Sequence, residues 1–248
     1  MVSRVGSTDM EIREATAEDG PAVRSIALQS MEASYSLSPT TIESAIQQWY
    51  GDDRFDDLLA DDDVLILIVE RNEEPVAFSE SALIDDRGDI HWIHVAAMHR
   101  GEGIGQALYE ATRERLEAEG AETIRGLVLA MNSEGNRFWE EHGLHYIGER
   151  TVDIDGTSFV ENIYIDQEVV ELEPIVVDDQ DLFIDRGDAE RGSEGPFYTV
   201  YTDEECENRY SYYCGNCGTL ITAMDTMGRL SCDECGNQLK PTRWDAAW

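Results

Sequence analysis

Two stretches hold residues whose types and spacing can do chemistry. In HRGEGIGQAL, His99–Leu108, the residues Gly101, Gly103 and Gly105 alternate directly before a helix-like pattern. Glycine at that density lets successive backbone N–H groups approach one anion, and a helix N-terminus adds its dipole. A turn that merely reverses the chain is the competing reading. In YYCGNCGTLITAMDTMGRLSCDECGNQLKP, the pairs Cys214-x-x-Cys217 and Cys232-x-x-Cys235 stand 14 residues apart, each followed by glycine. Two such knuckles can aim four thiolates at one tetrahedral metal.

Three phosphate-loop templates can be tried on the first stretch. The dinucleotide fingerprint G-x-G-x-x-G fails at its sixth position, which is Gln106, and no acidic ribose ligand follows about 20 residues on. The P-loop needs a lysine, and the only lysine in the chain is Lys240. The pattern R-x-x-G-x-G fits Arg100-Gly101-Glu102-Gly103-Ile104-Gly105.

The loop has to be held by the elements around it. EIREAT reads as a strand, followed by a helix capped by Thr16 or Asp19 with Pro21 in its first turn. PTTIESAIQQWY, Pro39–Tyr50, reads as a second helix. VLILIVER and PVAFSESALID are two strands around a hairpin-sized NEE, and DIHWIHVAAM is a fourth strand. A helix from about Gly105 to Glu119 follows, stopped by Gly120. TIRGLVLAM, SEGNRFWEEHG and a hairpin around DGTS complete a β, α, α, β, β, β, α, β, α, β, β order. The expected fold class is mixed α/β with central strands buried on both faces.

In this setting the loop resembles the pyrophosphate loop of the GNAT N-acetyltransferases. WIHVAAMHRGEGIGQALYEATRERL is similar to that family's strand–loop–helix core, and NSEGNRFWEEHGL, Asn132–Leu144, to its second signature. The resemblance covers about residues 10 to 166. It implies a GNAT-type acyl-CoA N-acyltransferase fold in which strands four and five splay apart around the pantetheine of acetyl-CoA. It implies cofactor contacts from Val95, Ala96 and Ala97, and from Arg100, Gly101, Glu102, Gly103, Ile104, Gly105 and Gln106. It extends these contacts to Asn132, Asn136 and Trp139. It also implies direct attack by an amine on the thioester in a ternary complex.

That chemistry needs a base for the amine, a donor for the oxyanion, and a proton for the thiolate. Glu80, Asp89, His91 and His94 are candidate bases by position on strands three and four. Strand alternation puts His94 on the face of Trp92 and His91 on the other, unless a bulge resets it. Trp139 stands where the family often has a tyrosine acid, and an indole N–H is no practical proton donor. Trp139 then packs, Tyr146 or water supplies the proton, or the thiolate leaves without an acid. The acceptor is an amine-bearing small molecule or a protein N-terminus or lysine. In the family it is set by regions corresponding to Ser30–Tyr50, with Glu32, Tyr35 and Trp49, and to Gly148–Phe159. A non-catalytic CoA-binding regulator is the alternative.

All five histidines lie before Gln167 and all five cysteines after it. The expected organisation is a loose leader over 1–9, the acetyltransferase domain over 10–167, an acidic linker over 168–180 and a zinc-ribbon domain over 181–248. With no histidine nearby, the metal ligands are Cys214, Cys217, Cys232 and Cys235, a closed structural Zn²⁺ site. Disulfides and a rubredoxin-like iron site are the competing readings, and Cys206 is left free. The tail resembles a small uncharacterised zinc-ribbon domain of haloarchaea, which implies no function.

The chain has 53 acidic and 18 basic residues, a net charge of -35, yet 42% of it is hydrophobic, enough for a core. Acid-rich, lysine-poor composition resembles that of proteins working in concentrated salt, where screening is strong. From Glu171 to Trp248 there are 17 acids and 6 bases, net -11, so nucleic acid is not an expected partner. The tail's aromatics, Tyr210, Tyr212, Tyr213, Trp244 and Trp248, serve a core or a protein partner. No membrane span or targeting segment is read, so the expected location is the cytoplasm. A homodimer is one expectation for assembly.

Overall fold

The computed structural model describes residues 10–35, 37–167, 171–221 and 229–239. The expected leader, Trp244 and Trp248 lie outside them. The chain forms two compact units, Met1–Val128 with Ile154–Gly156, and Leu129–Asp153 with Thr157–Trp248. Among the described residues no helix is long and apolar enough to cross a membrane.

The first unit holds β1 (Met10–Glu14), α1 (Gly20–Ser34), α2 (Pro39–Tyr50), α3 (Asp52–Ala60), β2 (Val64–Arg71), β3 (Glu74–Ile84), β4 (Arg87–Val95), α4 (Ile104–Glu119) and β5 (Thr123–Leu129). Its strands lie in the order β1-β2-β3-β4-β5. Thr16 and Asp19 hold the N-cap positions of a 3₁₀ turn over Ala17–Asp19 and of α1, but the Asp19 carboxylate turns back, accepting from Thr16 N–H at 2.8 Å and from Arg13. The helix α3 was not expected from its acid-rich DDRFDDLLA. It forms because Phe55 and Leu58, three apart, bury one face while Asp52 and Asp53 favour its N-terminus. Strands β2 and β3 bury both of their faces, with a bulge at Val76 where Val69 pairs with Ala77 and Glu70 with Pro75. Leu65, Leu67, Val69 and Ala77 pack with Ile104 and Leu108 of α4. On the opposite face Phe78 meets the ring of Tyr50, the last residue of α2. Helices therefore cover both faces of β3, and the faces carry different chemistry.

The second unit holds α5 (Ser133–Glu141), β6 (His145–Ile154), β7 (Thr157–Ile165), β8 (Leu172–Val177), β9 (Gln180–Arg191), β10 (Pro196–Tyr201) and β11 (Arg209–Cys214). The short strands β12 (Leu220–Ile221), β13 (Leu230–Ser231) and β14 (Gln238–Leu239) follow. Five strands form one antiparallel sheet in the order β12-β11-β10-β9-β8. The stretch expected as a linker, 168–180, is corrected over most of its length. Leu172–Val177 pairs with Gln180–Asp185, and the turn residues Asp178 and Asp179 both have left-handed φ, 50° and 63°. Such a turn matches the twist of a hairpin. Ile175 and Val177 alternate inward onto Leu182, Ile184, Tyr198 and Val200, which supplies the apolar reason for the strand. The acids had masked this period.

Candidate active site and candidate metal centre

Strand β4 pairs with β3 along its whole length but with β5 over its first half only. It pairs in parallel with β5 from Arg87–Thr123 to Ile90–Gly126, and that register ends there. Against β3, Glu80 pairs with Trp92 and the next residue, Ser81, pairs with Ile90. His91 is the extra residue of a bulge, so two residues of β4 oppose Glu80. A bulge adds twist, and here it falls where β4 and β5 part. The splay expected of strands four and five is thus built into β4 itself.

The bulge also brings side chains together. Glu80 is buried, 9% exposed. Its Oε2 accepts a 2.7 Å hydrogen bond from the hydroxyl of Tyr50, and its Oε1 lies 3.4 Å from His91 Nδ1. Burial, then the charge of Glu80 and the hydrogen bond to it, push the Tyr50 hydroxyl well above its ordinary range. Tyr50 therefore stays a donor. Trp92 stacks on His94 with ring centroids 5.2 Å apart and lies 4.6 Å from Trp49.

The other base candidates do not suit the role. His94 is buried between Trp92 and Phe78, and its Nε2 meets no hydrogen-bond partner. Burial, with the nearby charge of Arg100, pulls it down to about 3, which makes it a poor proton acceptor at neutral pH. Asp89 is held in a bidentate pair with Arg125, at 2.8 and 2.6 Å, and accepts 2.9 Å from Arg87. Burial alone would raise the Asp89 carboxyl, but the charge and hydrogen bonds of Arg125, then Arg87, hold it below its ordinary value. Asp89 is thus a brace for the paired half of β4.

The glycine loop follows β4 after a 3₁₀ turn over Ala97–His99. Gly101 and Gly103 have φ of 75° and 81°, and a Cβ at either would meet nothing within 4 Å. The left-handed backbone, not crowding, calls for glycine here. Gly103 caps α4, which Ile104 enters with a buried side chain, followed by Gly105 and Gln106. The side chains of Arg100, Glu102 and Gln106 are engaged within the protein. Arg100 turns inward and donates to Ser30 O, Ser30 Oγ and Ser34 Oγ at 3.0, 3.0 and 2.9 Å, tying the loop to α1. Glu102 pairs with Arg71, and Gln106 donates to Glu110 at 2.9 Å. What these residues have left for an anion is their backbone. Ala96 is corrected further: its N–H already donates to Val76 O and its carbonyl accepts from His99. Val95 and Ala97 flank it at the strand end.

In the second unit the signature residues are largely committed to structure. Asn132 caps α5 by accepting from Gly135 N–H at 2.9 Å. Asn136 donates to Asn132 O at 2.7 Å, and its Oδ1 accepts from Asn162 and from the Tyr164 hydroxyl at 2.6 and 2.9 Å. Trp139 is buried, 3% exposed, and meets the ring of Phe138 edge-on. That is the packing role. Tyr146 is half exposed, and its hydroxyl is pushed up to about 12 by burial, then by the charge of Glu149 and the hydrogen bond to it. It holds its proton more tightly than an ordinary tyrosine does.

The four cysteines form one cluster, their sulfurs all within 4.8 Å of one another. Cys217 and Cys232 stand 3.4 Å apart, and Cys214 and Cys235 3.7 Å. Zn–S bonds of about 2.3 Å place tetrahedral sulfurs roughly 3.8 Å apart, so the set fits such an ion. Both knuckles are closed by matching hydrogen bonds, Gly218 N–H to Cys214 O and Gly236 N–H to Cys232 O, each 2.9 Å. Asn237, missed in the sequence, donates to Cys214 Sγ at 3.4 Å. Tyr212 and Tyr213 lie under arginines, Arg209 4.0 Å over the first and Arg186 5.0 Å over the second, which supports their use in the domain's own packing.

A mixed α/β sheet split at β4, with a glycine loop feeding a helix from the split strand, is the fold of the GNAT acyltransferases. Residues 27–144 match the model of the Acetyltransferase (GNAT) family, and the chain carries a domain of that family. Residues 178–248 match a family of unknown function, DUF5816. No curated protein matches the chain in sequence. Among solved structures, the chain is similar to the PaiA N-acetyltransferase of Thermoplasma acidophilum in complex with coenzyme A. That match has 22% identity and a TM-score of 0.54, and covers 62% of this chain and 98% of that one. A GCN5-related N-acetyltransferase of Rhodopseudomonas palustris matches at 22% identity and TM-score 0.54, covering 67% and 100%. An N-acetyltransferase of Staphylococcus aureus Mu50 matches at 20% and 0.50, covering 64% and 98%. These likenesses are likenesses of fold.

Proposed function

We propose that this chain transfers an acetyl group from acetyl-CoA to a primary amine in a ternary complex, with Glu80 as the base. One observation carries the reading: the bulge at His91, the end of β4–β5 pairing and the Tyr50–Glu80–His91 cluster coincide on β4. The coenzyme A complex of the Thermoplasma acidophilum protein supports the cosubstrate. The backbone N–H groups of 101–105, at the N-terminus of a 16-residue helix, would hold the pyrophosphate. The parted strands would admit the pantetheine.

The amine must first lose a proton, because an ammonium has no lone pair. Glu80 takes it, while the Tyr50 hydroxyl keeps that carboxylate in place. His91, whose side chain is 28% exposed against 11% for Glu80, passes the proton towards water. The nitrogen pair then forms the C–N bond, the C–S bond breaks with its electrons leaving on sulfur, and the nitrogen's surplus proton passes to the thiolate or to water. A thiol with an ordinary pKa of about 8.5 leaves readily as thiolate, so no dedicated acid is required. That agrees with a buried Trp139 and with a Tyr146 already donating to Glu149. The four cysteines hold a structural zinc. The acceptor is a small amine, a peptide N-terminus or a lysine, and the acidic composition supports concentrated salt as the working medium.

The test is thiol release from acetyl-CoA against a panel of amines and peptide N-termini in molar salt. Turnover on at least one acceptor is expected. Tight acetyl-CoA binding with no turnover on any acceptor would favour a non-catalytic CoA-binding regulator instead.

A further inference from the structure

We infer that the cysteine centre positions strand β6, so that metal occupancy sets the order of residues 147–150. The inference rests on reading the four cysteines as a metal centre. It starts from Asn237, which is fully buried. Its side-chain nitrogen donates to Cys214 Sγ and to Gly195 O, at 3.4 and 3.0 Å, and its oxygen accepts from Glu194 N–H at 2.8 Å. One amide thus joins a metal-ligand sulfur to the turn that leads into β10. A second link runs through the first knuckle, where Gly215 N–H donates to Pro196 O at 2.8 Å and Cys214 pairs with Phe197.

This turn, β10 and the end of β9 then grip β6 at four consecutive residues. The Tyr198 hydroxyl donates to Ile147 O at 2.5 Å. Pro196 lies so close to Gly148 that a Cβ there would stand 2.7 Å from Pro196 Cβ. Arg191 reaches Glu149 at 3.4 Å, and Arg150 forms a bridge with Gly192. Besides these contacts β6 pairs with β7, and Arg150 Nε donates to Glu161 Oε2 at 2.5 Å, but only Gly148 and Ile154 of its ten residues are buried. A strand with so little apolar burial depends on its edge contacts for order.

The cysteine end cannot supply rigidity from its own ladder. Strands β12, β13 and β14 are two residues each. Pairs that short are marginal in water without a further tie. Four bonds to one metal are that tie. Once the knuckles separate, Asn237 loses Cys214, the 192–196 turn loses Asn237, and β6 loses its grip. The segment released carries Glu149, the acceptor for Tyr146, and lies in the hairpin that the GNAT resemblance assigns to acceptor choice.

The experiment is hydrogen–deuterium exchange of the full chain in molar salt, zinc-loaded and chelator-stripped, with metal counted by chromophoric release beforehand. Stripping should speed exchange at 147–150 at least tenfold and leave β2 and β3 unchanged. The variant Tyr198→Phe, which keeps all four cysteines, should bind one zinc. It should exchange faster at 147–150 even when loaded, and respond less to stripping. Unchanged exchange at 147–150 in stripped wild type would overturn the proposal. Should stripping also expose β2 and β3, zinc-loaded Asn237→Ala decides: faster exchange at 147–150 supports the link, and wild-type protection there overturns it. Failure to take up any metal would overturn the metal centre itself, and the metal count reveals this before exchange begins.

Discussion

His94 offers a stability measurement that follows from its burial. The ring lies between Phe78 and Trp92 with Nε2 unpartnered, and burial, then the Arg100 charge, pulls it down to about 3. In the unfolded chain a histidine titrates near 6.5. Between those values the unfolded state binds a proton that the folded state refuses. Stability therefore falls as pH drops below about 6.5, and the loss is complete only near pH 3. At pH 5 the unfolded state is favoured by about 1.5 units at 1.36 kcal/mol each, or about 2 kcal/mol relative to pH 7.5. The perturbation is His94→Phe, which keeps an aromatic ring in the stack and removes the titration. Urea unfolding of both proteins at fixed high salt, at pH 7.5 and pH 5, isolates His94, because every other group titrates in both. The wild type should lose about 2 kcal/mol more than the variant over that interval. Equal losses, or a His94 ring resonance titrating near 6.5, would refute the reasoning.

Removing Arg125 should be severe. Arg125→Met leaves Asp89, 1% exposed, with Arg87 alone, and should cost about 3–5 kcal/mol by chemical denaturation, much of it recovered by adding Asp89→Asn. Gly103→Val forces a β-branched residue to a φ of 81° and should weaken acetyl-CoA binding by calorimetry at least tenfold, with the far-ultraviolet dichroism unchanged. Purified protein should contain one zinc per chain by elemental analysis, and Cys214→Ser should lose it.

What was legible in the sequence had short range. The helix α2 begins and ends where the pattern places it, because Pro39 opens it and Ile42, Ile46 and Tyr50 bury at four-residue steps. The cysteine centre was legible because knuckle spacing is local chemistry. The helix α3 was hidden by four aspartates among nine residues, and β8 by the acids around its alternating Ile175 and Val177. Tyr50 and Glu80 are 30 residues apart on different elements, and nothing local in either marks the pair. The bulge at His91 was foreseen only as an exception to strand alternation, since it arises from how β4 is shared between two neighbours. Arg100 was read as the first residue of the R-x-x-G-x-G loop, and its guanidinium faces Ser30 and Ser34, 70 and 66 residues away. Long-range partners of this kind decide roles that residue type alone leaves open.

Glu80 is proposed as the proton acceptor beside an acetyl-CoA cradle. The most direct test pairs acetyl-CoA calorimetry with thiol release for wild type and Glu80→Gln, on the best amine acceptor. Acetyl-CoA affinity should be unchanged within about twofold, while turnover falls by about 10² or more. Undiminished turnover in Glu80→Gln, or a wild type that binds no acetyl-CoA in high salt, would contradict it.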